Sequence, residues 1–173
     1  MTYIAFFLLL HLHPQKAFKV LTNLILGQKY LFKTFTFNKK YTQAAQVLSE
    51  TLLTRYYPKV AAFFQHIGFC FGANVWVENV YSLFLQNFPL EVCERIWDAL
   101  LTYGVAFIFR FFLAIFDTVS EHLASISYSR LSEDLRKLYF DHGQAILQKS
   151  YDNVNFEYQF YFIDRAIATD KLV

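Results

Sequence analysis

The chain has 173 residues, of which 55% are hydrophobic and only 17% are charged. This length fits one domain or most of one, and five Gly and three Pro are few for the frequent tight turns of an all-β protein. A net charge of +2 without a long basic run argues against a nucleic-acid-binding surface, which usually carries clustered Lys and Arg. Composition therefore predicts an all-α protein that does not bind nucleic acid.

The first half of the chain is predicted to form helices separated by proline and glycine. An apolar helix over residues 2–12 closes before Pro14, because the residue before a proline avoids the helical region. Pro14 opens a second helix, which Gly27 is placed to end. Further helices are predicted at residues 41–57, 58–68 and 73–86, whereas residues 28–40 read as a connection or a short helix.

Turn and capping signals are clearest between residues 87 and 104. Pro89 stands where the first residue of a helix is expected, and Glu91 and Glu94 complement the positive end of the helix dipole. Gly104 is placed to end this helix, and a Phe-rich helix begins at once. The sequence therefore predicts two consecutive helices that meet at Gly104.

The Phe-rich helix, residues 105–116, carries Arg110 near its middle. An Arg at the centre of a membrane span costs about 2.5–3.5 kcal/mol even on a lenient insertion scale, so we expect a core helix and no membrane span. Ser132 before Glu133 marks a later helix start, and Asn155 is placed to cap a last helix.

The search for catalytic or metal-binding motifs gives negative results. The sequence contains neither a glycine-rich phosphate loop nor a nucleophile elbow. His66 and Cys70 are four positions apart, but two potential ligands without a third make a weak metal site, and we predict no cofactor. Cys70 and Cys93, the only cysteines, suit buried thiols in a reducing compartment, which favours a cytoplasmic location.

One ordered set of motifs stands out. Leu83-Phe84 is followed by Phe88-Pro89, then by Arg95-Ile96-Trp97-Asp98, Gly104 and a Phe-rich segment with Arg110. By packing arguments only, this is a helix–turn–helix unit with Trp97 in the core and Arg95 and Asp98 one turn apart on the polar side.

In their order these motifs resemble the C-terminal half of the TBC domain, the Rab GTPase-activating fold, in which a helix ends in "LF" and is followed by an "LP" turn, "RIWD", Gly and an apolar "LFRxxLA" helix. The start of the chain is similar to the family segment that begins at the Met of "YxQGM". The resemblance covers residues 1–123 of a partial domain spanning residues 1–173, with residues 124–173 as trailing helices. Its structural signature is Phe84, Pro89, Arg95, Trp97, Asp98, Gly104 and Arg110. One departure is Asn79, which stands where the family usually has Trp.

The resemblance implies an all-α, multi-helix bundle equivalent to the C-terminal subdomain of a Rab-GAP TBC domain. The family's two catalytic side chains, an Arg from "IxxDxxR" and a Gln from "YxQ", lie upstream of the equivalent of Met1. The chain contains no "IxxDxxR", and Tyr41-Thr42-Gln43 is followed by Ala44 and not by Gly-Met. We therefore expect no catalytic residue in this chain.

The expected function is that of a GTPase-activator fragment, itself no enzyme, that regulates Rab-type small GTPases in vesicle traffic and is inactive without the missing side chains. The resemblance implies a cytoplasmic protein that reaches endomembrane surfaces peripherally through its GTPase partner. The alternative is a non-catalytic helical interaction module that binds a GTPase or a scaffold. In the resembled fold upstream helices cover one side of the first helix, so we expect an exposed apolar patch at Phe6, Phe7, Leu8 and Leu10.

Overall fold

The structure is a computed structural model that describes residues 2–26, 39–104 and 106–152. Within these ranges it contains helices and no strand, in agreement with the all-α prediction. The α-helices, numbered in chain order, are α1 Thr2–His11, α2 Pro14–Leu26, α3 Lys39–Tyr56, α4 Pro58–His66, α5 Phe71–Val80, α6 Leu90–Tyr103, α7 Ala106–His122 and α8 Leu131–Asp152. Two short 3₁₀ turns, Leu123–Ser125 and Tyr128–Arg130, join α7 to α8.

The Phe-rich helix α7 is the centre of the bundle. All ten of its residues from Phe107 to Phe116 are buried, as expected for a helix that is apolar on every side. Helices α3, α4, α6 and α8 pack around it, with α8 making the most extensive contact. The expectation of a core helix at this position is confirmed, and the helix extends six residues beyond the predicted end, to His122.

Proline and glycine set the boundaries of α4 as predicted. Pro58 opens the helix, and Gly68 follows it with a φ of 67°. The amide of Gly68 donates to the carbonyl of Gln65, and the amide of Phe69 donates to that of Phe64, which is a Schellman motif. The rings of Phe64 and Phe69, 5.2 Å apart, supply the apolar contact that usually accompanies this motif.

The prediction of one helix over residues 73–86 is wrong at its end. Helix α5 stops at Val80, and Leu83 and Phe84 adopt φ values of 51° and 65°, in the left-handed region that L-residues rarely occupy. The amide of Phe84 donates to the carbonyl of Asn79 at 2.6 Å, which closes a turn wider than a helical one. We call residues 81–88 the signature turn. Both Leu83 and Phe84 are buried in this turn.

Four helix starts differ from prediction by one or two residues. Helix α3 begins at Lys39 and not at residue 41, and α5 begins at Phe71 and not at residue 73. Pro89 is the N-cap of α6 and not its first residue, because its ψ of 146° is extended; its carbonyl accepts from the amides of Val92 and Cys93. Helix α8 starts at Leu131, before Ser132. The helix end predicted at Gly27 and the helix start predicted at Asn155 lie outside the described residues.

Helices α3 and α5 approach each other closely at Gly72. A Cβ atom at Gly72 would lie 2.6 Å from the backbone oxygen of Gln46, so only glycine permits this contact. The amide of Gly72 donates to the carboxylate of Glu50, which therefore caps the first turn of α5.

Among the described residues no individual helix combines the length and the apolar character needed to cross a bilayer. Helices α4 and α5 reach that length and apolar character only when they are taken together, and their axes are bent by 89°.

Candidate functional site

Trp97 joins α6 to the first helix of the chain. Its indole stacks on the ring of Phe7, with centroids 4.9 Å apart and planes at 12°. Both side chains are buried, at 7% exposure each. The Nε1 atom of Trp97 has no hydrogen-bond partner among the described residues. Trp97 is thus a core side chain, as the packing interpretation of the motif predicts.

Phe84 and the residues around it attach the signature turn to α7. The Phe84 ring is fully buried, and its centroid lies 4.9 Å from that of Phe111 in an edge-to-face contact. Within the turn, Asn87 Nδ2 donates to Asn79 Oδ1 at 3.0 Å, and Asn79 Nδ2 donates to the carbonyl of Val75. A pair of buried amides therefore ties the turn to α5, and sequence reasoning missed this pair.

Arg95 and Asp98 lie on the exposed side of α6, as predicted. Near them, the carboxylate of Glu94 lies beside the imidazole of His11 of α1, with 3.4 Å between Oε1 and Nε2. Both side chains are more than 40% exposed, so the contact adds little stability.

Gly104 lies between α6 and α7, and Arg110 of α7 contacts the last residue of α6. Gly104 has φ 71° and ψ −160°, a conformation essentially restricted to glycine, and it ends α6 as predicted. Arg110 is 2% exposed, and its guanidinium lies 5.6 Å from the centroid of the Tyr103 ring. This distance permits a cation–π interaction, which helps to accommodate a buried charge within an otherwise apolar helix.

One face of α1 is apolar and exposed. It consists of Tyr3, Phe6, Leu9 and Leu10, whose exposures are 45%, 58%, 53% and 49%. We call these four residues the α1 face. The predicted patch is correct for Phe6 and Leu10. It is wrong for Phe7 and Leu8, which are buried because they point inward toward α6 and the core.

Gln43, whose motif mimics the family's catalytic Gln, is exposed on α3. It lines an open groove of about 710 Å³ together with Gln46, Val47, Glu50, Arg55 and neighbouring residues of α3. Cys70 also lines this groove, and its thiol lies within hydrogen-bonding distance of the Glu50 carboxylate. Burial raises the pKa of the Cys70 thiol, which disfavours the nucleophilic thiolate, so the groove has the character of a surface groove and not of a catalytic site.

The cysteines and histidines form no metal centre within the described ranges, where no group of three His, Cys, Asp or Glu residues is placed to hold an ion. Cys93 is buried, as predicted, and burial raises the pKa of its thiol to about 12. Cys70 is exposed, so the prediction of a buried thiol is wrong there. It lies at the α5 N-terminus, where its Sγ is 3.3 Å from a carboxylate oxygen of Glu50.

A three-charge cluster joins α7 to α8, and no sequence motif indicated it. Lys149 Nζ lies 2.6 Å from Asp117 and 2.8 Å from Glu121. Desolvation lowers the pKa of Lys149, but the hydrogen bonds to Asp117 and Glu121 outweigh it and leave the pKa raised. The partners are 28 positions or more apart along the chain, so helical spacing does not reveal them.

The comparisons with known proteins agree with this geometry. The model of the Rab-GTPase-TBC domain family matches residues 1–124. The GTPase activating protein Gyp51 of Schizosaccharomyces pombe is 32% identical over 145 residues, which cover 79% of this chain and 13% of that protein. The chain thus spans a small part of the length of this relative. No solved structure matches the chain.

The family match contains α1 to α7 and therefore every residue of the structural signature, from Phe84 to Arg110. It leaves out α8, which packs on α7 from outside the matched range. Helical architecture, motif order and the extent of the match agree, and the chain belongs to the Rab-GTPase-TBC domain family.

Proposed function

We propose that this chain is the scaffold part of a GTPase-activating regulator that acts on a Rab-type small GTPase in vesicle traffic. The observation that carries the proposal is the family match over residues 1–124, which encloses the packed Trp97–Phe7 pair and the signature turn. The similarity to a GTPase activating protein of fission yeast supports the same class of activity.

We further propose that the 173-residue polypeptide by itself does not accelerate GTP hydrolysis. Hydrolysis by small GTPases is slow because charge on the transferred phosphoryl group is not neutralised. An arginine supplied by the activator accelerates hydrolysis by about 10³–10⁵-fold. No "IxxDxxR" occurs in the sequence, and Gln43 is followed by Ala44 in place of the family's Gly-Met. The polypeptide therefore supplies neither the arginine nor the water-positioning glutamine that the resemblance requires.

The test is single-turnover GTP hydrolysis by a panel of Rab-type GTPases, with and without the purified chain. We expect less than a twofold change for every GTPase. The complete GTPase-activating domain of the fission yeast relative serves as the positive control. Acceleration of any GTPase by several orders of magnitude would contradict the proposal that this polypeptide is inactive.

A chimera tests the scaffold assignment separately. The segment that precedes the matched region in the fission yeast relative is fused ahead of Thr2. We expect the fusion to gain GTPase acceleration, and Trp97→Ala in the fusion to lose it because the scaffold is disrupted. A folded fusion that binds GTPases without accelerating hydrolysis would count against the scaffold assignment.

The alternative function is a non-catalytic interaction module that binds a GTPase or scaffold. The exposed α1 face favours it, because four large apolar side chains on one side of a helix often mark a protein-binding surface. Nucleotide-dependent binding of a Rab-type GTPase to the chain, with unchanged hydrolysis in both the chain and the fusion, supports this alternative.

We place the protein in the cytoplasm, at endomembrane surfaces that it reaches through its GTPase partner. Fractionation of cells tests this placement. We expect the chain in the membrane fraction when the GTP-bound partner is present and in the soluble fraction when it is depleted. Membrane retention that does not depend on any Rab-type GTPase would contradict the placement.

A further inference from the structure

A small cavity of about 70 Å³ lies between α5, the signature turn and α8. Its inner wall includes Asn79 and Asn87 from the paired amides and Tyr139 from α8, while Glu78 and Arg136 lie at the exposed side. The cavity is thus polar on its inner wall and borders the stacked rings of Phe88 and Tyr139.

Two residues of this wall each carry a buried polar atom that lacks a protein partner within the described residues. These atoms are Asn87 Oδ1 and Tyr139 Oη, on residues that are 6% and 2% exposed. A buried hydrogen-bonding group without any partner is strongly unfavourable, and native proteins satisfy such groups with protein or with ordered water.

The surrounding contacts fix both groups in place. Asn87 Nδ2 is already used by Asn79 Oδ1, so exchanging the oxygen and nitrogen of the Asn87 amide would bring two oxygens together. The Tyr139 ring stacks on Phe88, with centroids 5.2 Å apart and planes at 10°. Neither side chain can turn away to solvent without breaking these contacts.

The two groups are also complementary in their chemistry. Burial, together with the negative charge of Glu78, raises the pKa of Tyr139 well above its ordinary value, so the hydroxyl remains a neutral donor. Asn87 Oδ1 is an acceptor. A water molecule accepts from one and donates to the other, and one water occupies about 30 Å³ in the liquid, so the cavity has room for about two.

We propose that this cavity is a buried water site, in which one or two ordered waters accept a hydrogen bond from Tyr139 Oη and donate one to Asn87 Oδ1. The water bridge then joins α8, which lies outside the family match, to the signature turn within it. It acts beside the Phe88–Tyr139 stack, which supplies the apolar part of the same attachment. The inference does not depend on the proposed GTPase-activating function.

The direct test is detection of the water in the full chain, by high-resolution crystallography or by NMR cross-relaxation between long-lived water and the Asn87 side-chain amide. We expect a water within about 2.6–3.2 Å of both Tyr139 Oη and Asn87 Oδ1. A dry cavity overturns the proposal, as does a protein group bonded directly to the Tyr139 hydroxyl.

Substitutions test whether the Tyr139 hydroxyl stabilises the folded chain through the water bridge. Tyr139→Phe keeps the stack and removes the donor, and we expect the ratio of folded to unfolded chain to fall about two- to tenfold. Tyr128→Phe, on a tyrosine that is 69% exposed, is the matched control and should change the ratio by less than twofold.

A double variant distinguishes a shared bridge from two independent contacts. In an Asn87→Leu background the effect of Tyr139→Phe should shrink to less than twofold, because the bridge has already lost its acceptor. An undiminished effect in that background overturns the proposal. If Asn87→Leu does not fold, the water detected in the unsubstituted chain decides the question.

Discussion

The indole of Trp97 and the ring of Phe7 stack at 4.9 Å, which places α1 directly against the helix that carries the "RIWD" motif. The two residues are 90 positions apart in the sequence. The contact therefore packs the beginning of the family-matched region, where Phe7 lies, against the later part that contains Trp97.

Truncation of this pair should be strongly destabilising. We expect Trp97→Ala to lower the free energy of unfolding by about 3–5 kcal/mol, because it removes a large buried ring and leaves a cavity. Trp97→Phe should cost less, because a ring remains to stack on Phe7. Urea denaturation monitored by circular dichroism measures both. Phe6→Ala, next to Phe7 but 58% exposed, is the control and should stay within about 0.5 kcal/mol.

Gly68 and Gly104, which have positive φ within the described residues, should respond differently to asparagine. Gly104→Asn should cost about 1–3 kcal/mol, since the φ and ψ of Gly104 lie in a region that essentially only glycine occupies. Gly68→Asn should cost less, because Asn is tolerated at the left-handed position of a Schellman motif. No atom lies within 4 Å of a Cβ at either glycine, so a steric clash cannot explain the difference. Equal losses in thermal unfolding experiments would contradict this prediction.

The two thiols should differ in reactivity. In the native chain a thiol reagent should modify Cys70 and leave Cys93 unreacted, because Cys70 is exposed and Cys93 is buried. Partial burial raises the pKa of Cys70, so its labelling should accelerate with pH as the thiolate forms. Both cysteines should react in denaturant. Mass spectrometry of labelled peptides measures the stoichiometry, and rapid native labelling of Cys93 would show that its surroundings are open.

Tyr57 should contribute to the loss of stability at alkaline pH. Burial and the carboxylate of Asp117 raise the pKa of Tyr57 from 10.0 to about 12. The folded state therefore holds this proton more tightly than the unfolded state, and the associated stability is full below pH 10.0 and is lost as pH rises toward about 12. We expect the difference in melting temperature between the native chain and Tyr57→Phe to shrink above pH 10.

The matched control is Tyr128→Phe, whose melting temperature should differ from that of the native chain by the same small amount at every pH. A constant difference for Tyr57→Phe across pH 8 to 11 would show that the phenol does not titrate differently in the two states.

The α1 face should cause self-association when the chain is expressed without a covering partner. We expect aggregation of the native chain and a monomer, measured by light scattering, when Phe6 and Leu10 are both replaced by Lys. Leu101→Lys, on a residue that is 63% exposed on α6, is the control and should not relieve aggregation. A monodisperse native chain that melts cooperatively would contradict the prediction.

The spacing of apolar residues, together with the prolines and glycines at helix ends, predicted most helices. Pro14, Pro58 and Gly104 marked boundaries that the structure places within a residue of prediction. The central position of α7 followed from its continuous apolar run, and the exposure of Arg95 and Asp98 followed from helical spacing.

The long-range contacts were not predictable from local pattern. The turn after α5 contains the hydrogen bond between Asn79 and Asn87, whose separation of eight positions is not a helical spacing. The burial of Phe7 and the exposure of Cys70 likewise depend on which helices lie beside them. Helical periodicity identifies an apolar face but not the residue that covers it.

The backbone at Leu83 and Phe84 constrains the order in which this protein assembles during synthesis. Two successive left-handed residues are unfavourable in isolation, at a cost of about 1–3 kcal/mol each, and they are held by the burial of their side chains. Phe84 is buried against Phe111 of α7, which leaves the ribosome later than the signature turn. The aromatic residues of the signature turn therefore stay accessible to chaperones on the nascent chain until the Phe-rich helix has emerged.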